Sequence, residues 1–437
     1  PFGDTVDPDI PPVLTDEQKR VVGQVKENLH LGFNRYLLCG VTGSGKTEVY
    51  LRAARRVIGQ GRGVLVLVPE IALATQVEAH FVTRFGDKVA LLHSGLSPGE
   101  KYDEWSRICN GEASIVIGAR SAVFAPLKDI GLIIVDEEHD SSFKQEDRLR
   151  YNSRDVAVVR AKNCNAAILL GSATPSITSY SHAVSGKYSH LQMTTRVGGR
   201  KLPEVTVIDL KENRENDGSL FHQGLRQALI NNFSIGSQSI LLLNRRGFAA
   251  SMICKDCGTL VECKHCRVTL NLHKKKKRLI CHYCGFSLPS NLLCNCCGST
   301  HLAPVGFGTE RVEEEVIDLS PDAKVARIDS DIASDRKKFL TILQKMKNHE
   351  IDILVGTQMI AKGLHFPGVS LVGVVWADGG LAFPDFRAAE KTYQLIAQVT
   401  GRAGRGSIEG KVIIQTMQPE HYAIAFAASH NYKDLAK

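Results

Sequence analysis

The sequence predicts an α/β protein of two lobes, each a parallel sheet covered by helices, with a small cysteine-rich, zinc-binding insert in the second. Three observations predict it. Short, near-continuous apolar runs alternate with amphipathic stretches of helical length, in two successive series. A glycine-rich pattern, GVTGSGKT at 40–47, follows the first of these runs. Four CxxC pairs crowd into residues 254–297 and interrupt the second series. Strands that are apolar throughout belong to parallel sheets buried on both faces, because a sheet with one wet face alternates apolar and polar residues.

In chain order, the Pro-rich VDPDIPPVLT at 6–15 reads as an extended linker, so residues 1–14 are expected to be linker and 15–200 the first lobe. Its strands are expected at 36–40, 64–69, 114–118, 132–136 and 166–171. A junction near 196–205 leads to the second lobe, at 201–252 and 304–420, with strands at 239–244, 324–329, 351–356, 370–376 and 411–416. The insert is expected at 253–303, and 421–437 as the start of a further region. A chain of 437 residues is long enough for two or three domains. It begins at Pro1, which reads as a segment of something longer. No apolar run approaches the roughly 20 residues that span a bilayer, and no basic-then-apolar leader is present. A cytoplasmic protein without membrane contact is expected. The net charge of +8, with HKKKKR at 273–278, suits a polyanionic partner, although most charge runs are solvated faces.

The pattern at 40–47 has the context its chemistry needs, a strand before it and a helix after it. Its backbone N–H groups, from Gly40, Val41, Thr42, Gly43, Ser44 and Gly45, are expected to curl around phosphate oxygens. Lys46 supplies a point charge to the β- and γ-phosphates, and Thr47 a hydroxyl to Mg²⁺. LIIVDEEHD supplies the other half: Asp136, at a strand end, to hold the Mg²⁺ shell and Glu137 to orient the attacking water. Glu138 and His139 are expected to face the gap between the lobes. Near the other end, Gln398, Arg402 and Arg405 fall at i, i+4 and i+7, one face of a helix. Gly401 and Gly404 inside that helix would each cost about 1 kcal/mol relative to alanine, which calls for a reason.

Nine of the twelve cysteines lie between 254 and 297. A CxxC pair puts two thiolates on one tight turn, and two such turns make a tetrahedral S₄ site, so Cys254, Cys257, Cys263, Cys266, Cys281, Cys284, Cys294 and Cys297 read as ligands of two Zn²⁺ ions. Iron–sulfur ligation suits the same thiolates, and a redox role would need one exposed pair rather than four. Spacing alone leaves the pairing open, with Cys296 as a spare thiol beside Cys297. Nesting is the compact solution, with the inner pairs 263/266 and 281/284 closed around by the outer pairs 254/257 and 294/297.

GVTGSGKT, DEEH, GSATPS at 171–176 and QVTGRAGR at 398–405, in that order, resemble the motifs of superfamily 2 helicases, whose lobes are RecA-like. With the cysteine block after LLLNRRGFA, and with DEEHDSSFKQ, GFGTERVEEE and GTQMIAKGLHFP, the chain resembles the primosomal replication-restart helicases from about Leu14 to Glu420. That resemblance implies an ATP-dependent 3′→5′ DNA helicase that acts at stalled forks, bound to single-stranded and forked DNA. It also implies partners among primosome proteins and single-stranded-DNA-binding protein, and a monomer. It nominates Gln18 of LTDEQ to read adenine, and Arg402 and Arg405 as arginine fingers with Gln398 beside them. It further nominates Lys362 of GTQMIAKG for DNA coupling, with Phe143 and Tyr151 of an aromatic-rich loop stacking on bases. Leu149 stands in that loop where a tryptophan is expected. A duplex translocase without strand separation, or a zinc-module scaffold, would share many of these features.

If the 40–47 loop drives the activity, Lys46→Ala abolishes DNA-stimulated ATP hydrolysis. Phosphate release at the wild-type rate from that variant would refute the assignment.

Overall fold

A computed structural model describes the chain except residues 1–10, 70, 148, 200–201, 213–218, 245–251, 274–275, 305–307, 330–331, 333–334, 362–365, 384, 405–408 and 437, and except the side chains of 71–76 and 336. The chain divides into two compact units, Pro1–Lys201 and Leu202–Lys437. Each unit is built on a parallel sheet, as the apolar strand runs require.

Across the first sheet the strands are Val89–Leu92, Ile115–Gly118, Gly63–Leu67, Ile130–Asp136, Ala167–Ser172, Arg35–Gly40 and Ser189–Met193. Because all run parallel, Gly40, Asp136 and Ser172 lie at the same end of the sheet, where α/β proteins gather their ligands. Both faces are apolar. Leu132 and Ile134 of the central strand pack into one core cluster, while Ile133 and Val135 pack into the other. The second sheet runs Glu204–Asp209, Lys411–Thr416, Val369–Trp376, Gln238–Leu243, Ile353–Gly356 and Val325–Ile328, again parallel throughout.

Three of these strands are absent from the sequence reading: Val89–Leu92, Ser189–Met193 and Glu204–Asp209. All three are edge strands. An edge strand pairs on one side only and need not be apolar throughout. Ser189–Met193 reads SHLQM and Glu204–Asp209 reads EVTVID, with half or more of their residues in contact with solvent.

The insert follows the strand Gln238–Leu243 and forms a two-stranded sheet, Met252–Cys254 with Leu302–Pro304. It also forms a three-stranded sheet of Asn271–His273, Arg278–Ile280 and Ser287–Pro289. The basic run lies between the first two of these along the chain, and among its described residues Lys276, Lys277 and Arg278 are exposed. Gly258 rests against the second sheet's exit: a Cβ there would come within 2.7 Å of the Met417 carbonyl oxygen. Among the described residues, no helix is long and apolar enough to cross a membrane.

One expectation is corrected by burial. Phe143, nominated to stack on bases, is 1% exposed and sits in the core of the first unit beside Val135, Ala157 and Leu170. The backbone carbonyl of Phe143 is also tied down, accepting from Ser153 Oγ at 3.1 Å. A ring with no free face cannot stack. Phe143→Ala should therefore act on stability, lowering the unfolding free energy of the first unit by about 3–5 kcal/mol. Urea denaturation would check this, and an unchanged midpoint would return Phe143 to the surface.

Candidate nucleotide site and metal centres

The phosphate loop connects the strand Arg35–Gly40 to the helix Lys46–Ile58. Gly43 and Gly45 adopt φ of 83° and 79°, left-handed conformations that turn the chain so sharply only because no Cβ is present. The loop is anchored from three directions. Val41 N–H donates to the Met193 carbonyl, Val197 N–H to the Gly43 carbonyl, and Ser44 N–H to the Val41 carbonyl, each at 3.0 Å. Gln18 is buried against it. Its Nε2 donates to the Ser44 carbonyl at 3.0 Å, while its Oε1 accepts from Thr15 N–H at 2.9 Å in the capping box that starts the helix Asp16–Asn28. Lys46 Nζ donates to the Gly40 carbonyl at 2.9 Å, at the mouth of the loop.

Asp136 ends the strand Ile130–Asp136, paired in register with Gly171. Burial, reinforced by the charge of Glu137, pushes its carboxyl up to about 6 against the opposing pull of Lys46 and of a 2.9 Å hydrogen bond from Tyr50 Oη. A carboxylate this poorly solvated next to a phosphate-binding loop suits a cation. Glu137 has φ of 46°, a left-handed backbone that costs a non-glycine residue roughly 1–2 kcal/mol. Its Oε2 is buried with no hydrogen-bond partner, and so is Ser44 Oγ. Glu137 Oε2 has only His139 Nδ1 at 3.7 Å, and buried oxygens without a hydrogen bond beside Lys46 and Asp136 are what a nucleotide phosphate with Mg²⁺ would satisfy, so the donor set fits that pair.

Glu138 is held within the first unit by hydrogen bonds. It is 1% exposed and accepts from Arg154 Nη1 at 3.0 Å, from Ser176 N–H at 2.6 Å and from Ser179 Oγ at 2.7 Å. Beside it, His139 Nδ1 lies 2.7 Å from Ser172 Oγ. The DEEH strand end is thereby fastened to GSATPS through two side chains. Arg154 was missed in the sequence, because nothing local marks an arginine nine residues beyond Gln145 as the partner of a buried glutamate. Tyr151 sits on the hairpin Lys144–Gln145 and Tyr151–Asn152, partly buried and edge-on to Phe124 at 5.2 Å. Leu149, 72% exposed, lies between those two strands.

In the second unit the helix Ala388–Thr400 ends one residue before Gly401, and Gly404 is left-handed at φ 67°. Gln398 and Arg402 therefore do not share a helical face, and Gly404 has its reason in the turn that follows, while Gly401 caps the helix with right-handed φ of −64°. Both side chains are buried. Arg402 donates through Nε and Nη2 to the Ala361 carbonyl, at 3.1 and 2.8 Å, at the end of the short helix Gln358–Ala361. Arg405 and Lys362 lie outside the described residues.

The cysteines form two clusters, Cys254/Cys257/Cys294/Cys297 and Cys263/Cys266/Cys281/Cys284, the nested pairing. Sulfur separations of 3.5–3.6 Å between Cys254 and Cys297, Cys257 and Cys294, and Cys263 and Cys284 sit close to the roughly 3.8 Å edge of a tetrahedron with Zn–S bonds near 2.3 Å. Each cluster fits a zinc ion. Every pair is built the same way: the residue after its second cysteine is left-handed and donates its N–H to the first cysteine's carbonyl. Gly258, Gly285 and Gly298 do this at φ 73–76°, and Arg267 does it at φ 50°. This CxxC-then-left-handed signature is readable from the sequence, with Arg267 the strained member.

Residues 15–182 match the DEAD/DEAH box helicase family, residues 263–289 the PriA DNA helicase Cys-rich region domain, and residues 306–407 the helicase conserved C-terminal domain. The chain is 46% identical over 422 residues to replication restart protein PriA of Bacillus subtilis, covering 96% of this chain and 52% of that protein. It is 43% identical over 408 residues to the Haemophilus influenzae protein of the same name, covering 93% and 56%. The chain thus spans about half the length of these relatives. Among solved structures it is similar in fold to RecG bound to a three-way DNA junction, with a TM-score of 0.59, 19% identity and coverage of 97% of this chain and 46% of that one. Mycobacterium smegmatis Lhr bound to single-stranded DNA and AMP-PNP gives 0.58, 16%, 97% and 48%.

Elemental analysis should find two zincs per chain, falling to about one when Cys263 and Cys266 are both replaced by serine. A single metal in the unaltered protein, or iron, would refute the assignment.

Proposed function

This chain belongs to the PriA family of replication restart proteins, and we propose that it is the ATP-hydrolysing core of a 3′→5′ DNA helicase acting at stalled or branched replication forks. The observation that carries this reading is the convergence of Lys46, Asp136 and the His139–Ser172 contact at one end of one parallel sheet. In this reading the loop N–H groups and Lys46 hold the β- and γ-phosphates, while Thr47 and Asp136 hold Mg²⁺. Glu137 orients the attacking water, positioning being most of what phosphoryl transfer needs. Gln18, which already grips the loop, reads the adenine. Mg²⁺ supplies the neutralisation of charge on the transferred phosphoryl group.

Arg405 is proposed to neutralise γ-phosphate charge in the transition state, and Arg402 to position the segment that carries Lys362 through the Ala361 carbonyl. Lys362 and Tyr151 are proposed to couple DNA to hydrolysis, and the zinc insert to serve strand separation and the assembly of replication partners such as primosome proteins. A monomer in the cytoplasm fits this role.

ATP turnover measured without DNA, with single strands and with forks, alongside displacement of a labelled strand, tests the function. DNA-stimulated turnover with strand release is expected. Stimulation without release would leave a translocase, and turnover indifferent to DNA would end the helicase reading. Arg405→Ala should lower kcat by about 10³-fold or more with nucleotide affinity little changed; loss of nucleotide binding in equal measure would remove the finger role.

A further inference from the structure

Tyr50 is fully buried, yet its hydroxyl has a partner: it donates to Asp136 Oδ1 at 2.9 Å. It stands on the helix Lys46–Ile58, four positions after Lys46 and three after Thr47, and therefore on the same side of that helix as both. To reach Asp136 the hydroxyl crosses the neighbouring strand at Gly171, the residue paired in register with Asp136. A Cβ on Gly171 would lie 1.7 Å from Tyr50 Oη and 2.8 Å from Cζ. Any side chain at 171 would push the hydroxyl off the carboxylate. The glycine that opens GSATPS thus clears the path for one hydrogen bond, and that bond joins the phosphate-loop helix to the acidic strand end. A buried phenol is costlier than a buried phenyl unless the hydroxyl is bonded, so packing alone does not account for tyrosine at this position.

We propose that Tyr50 is a positioning residue for the nucleotide's metal. Its hydroxyl fixes one oxygen of Asp136 and leaves the other to Mg²⁺, so that the loop helix and the metal-holding strand keep one relative geometry. The inference rests on the reading of Asp136 as a holder of Mg²⁺. Hydrogen bonds behind a metal ligand commonly account for 10- to 100-fold in metal affinity, and this one is charge-assisted.

The test is Mn²⁺ binding to the full chain saturated with AMP-PNP, read by electron paramagnetic resonance rather than by turnover. Tyr50→Phe should weaken Mn²⁺ binding by about ten-fold or more, while affinity for the nucleotide in EDTA stays at the wild-type value. Placing 4-aminophenylalanine at position 50 restores an N–H donor and should recover most of the loss, which a packing role would not predict. Should Tyr50→Phe melt below the assay temperature, 4-methylphenylalanine, which fills the hydroxyl's volume without a donor, carries the same comparison. Asp136→Asn is the reference. If it weakens Mn²⁺ binding and the position-50 variants do not, the role of Tyr50 is overturned while that of Asp136 stands. If neither weakens it, both fall.

Discussion

Carboxylates buried at the end of a sheet are costly unless something holds them charged or satisfies their oxygens, and the first unit is organised around three in succession. Asp136 has Lys46 nearby and the Tyr50 hydroxyl on one oxygen. Glu137 is presented by a left-handed backbone, with one oxygen buried, without a hydrogen bond and 3.7 Å from His139 Nδ1. Glu138 is enclosed by Arg154, by Ser176 of GSATPS and by Ser179 on the helix that follows. Neighbouring residues with the same side-chain chemistry have thereby acquired three different environments. The first two lie beside the phosphate-loop pattern and fit a nucleotide with its metal, and the third pins the strand end to the next segment.

The insert answers a different constraint. Its buried cluster is small, and two of the seven residues at its centre are cysteines: Cys263 and Cys281 pack with Met252, Val261, Val268, Leu270 and Leu279. A unit of this size cannot bury enough apolar surface to order itself, so metal ligation, on the order of 10 kcal/mol or more per structural zinc, carries much of its stability. The nesting of the two sites draws the ends of the insert together at Met252–Cys254 and Leu302–Pro304, which pair as strands. An insertion whose ends meet in this way can sit between a strand and the rest of the second sheet without breaking that sheet's register.

Much of this was legible along the chain. The phosphate loop, the acidic strand end, the central strands and the eight ligands each follow from local pattern, because backbone-cradled phosphate, two-faced burial and tight thiolate turns all need particular residue types at fixed short spacing. Nesting was also the compact choice, although spacing alone left it open. The edge strands Ser189–Met193 and Glu204–Asp209 were not legible, since a strand paired on one side need not carry a continuous apolar run and these two, SHLQM and EVTVID, do not. Nor was the turn that takes Arg402 off its helix, as two glycines mark a turn only when something else ends the helix there.

What the tertiary structure decided is which side of a surface each residue lies on. Phe143 in an aromatic loop looked like a group that stacks on bases, and it is interior, as is Glu138 of the acidic run. Tyr50 and Gly171 carry no signal of a shared role in the sequence, and they meet across 121 residues of it beside Asp136. Burial and hydrogen-bond partnership are sums over contacts distant in the chain, so a short motif specifies the chemistry a site can perform while the packing of separate strands and helices determines which of its side chains perform it.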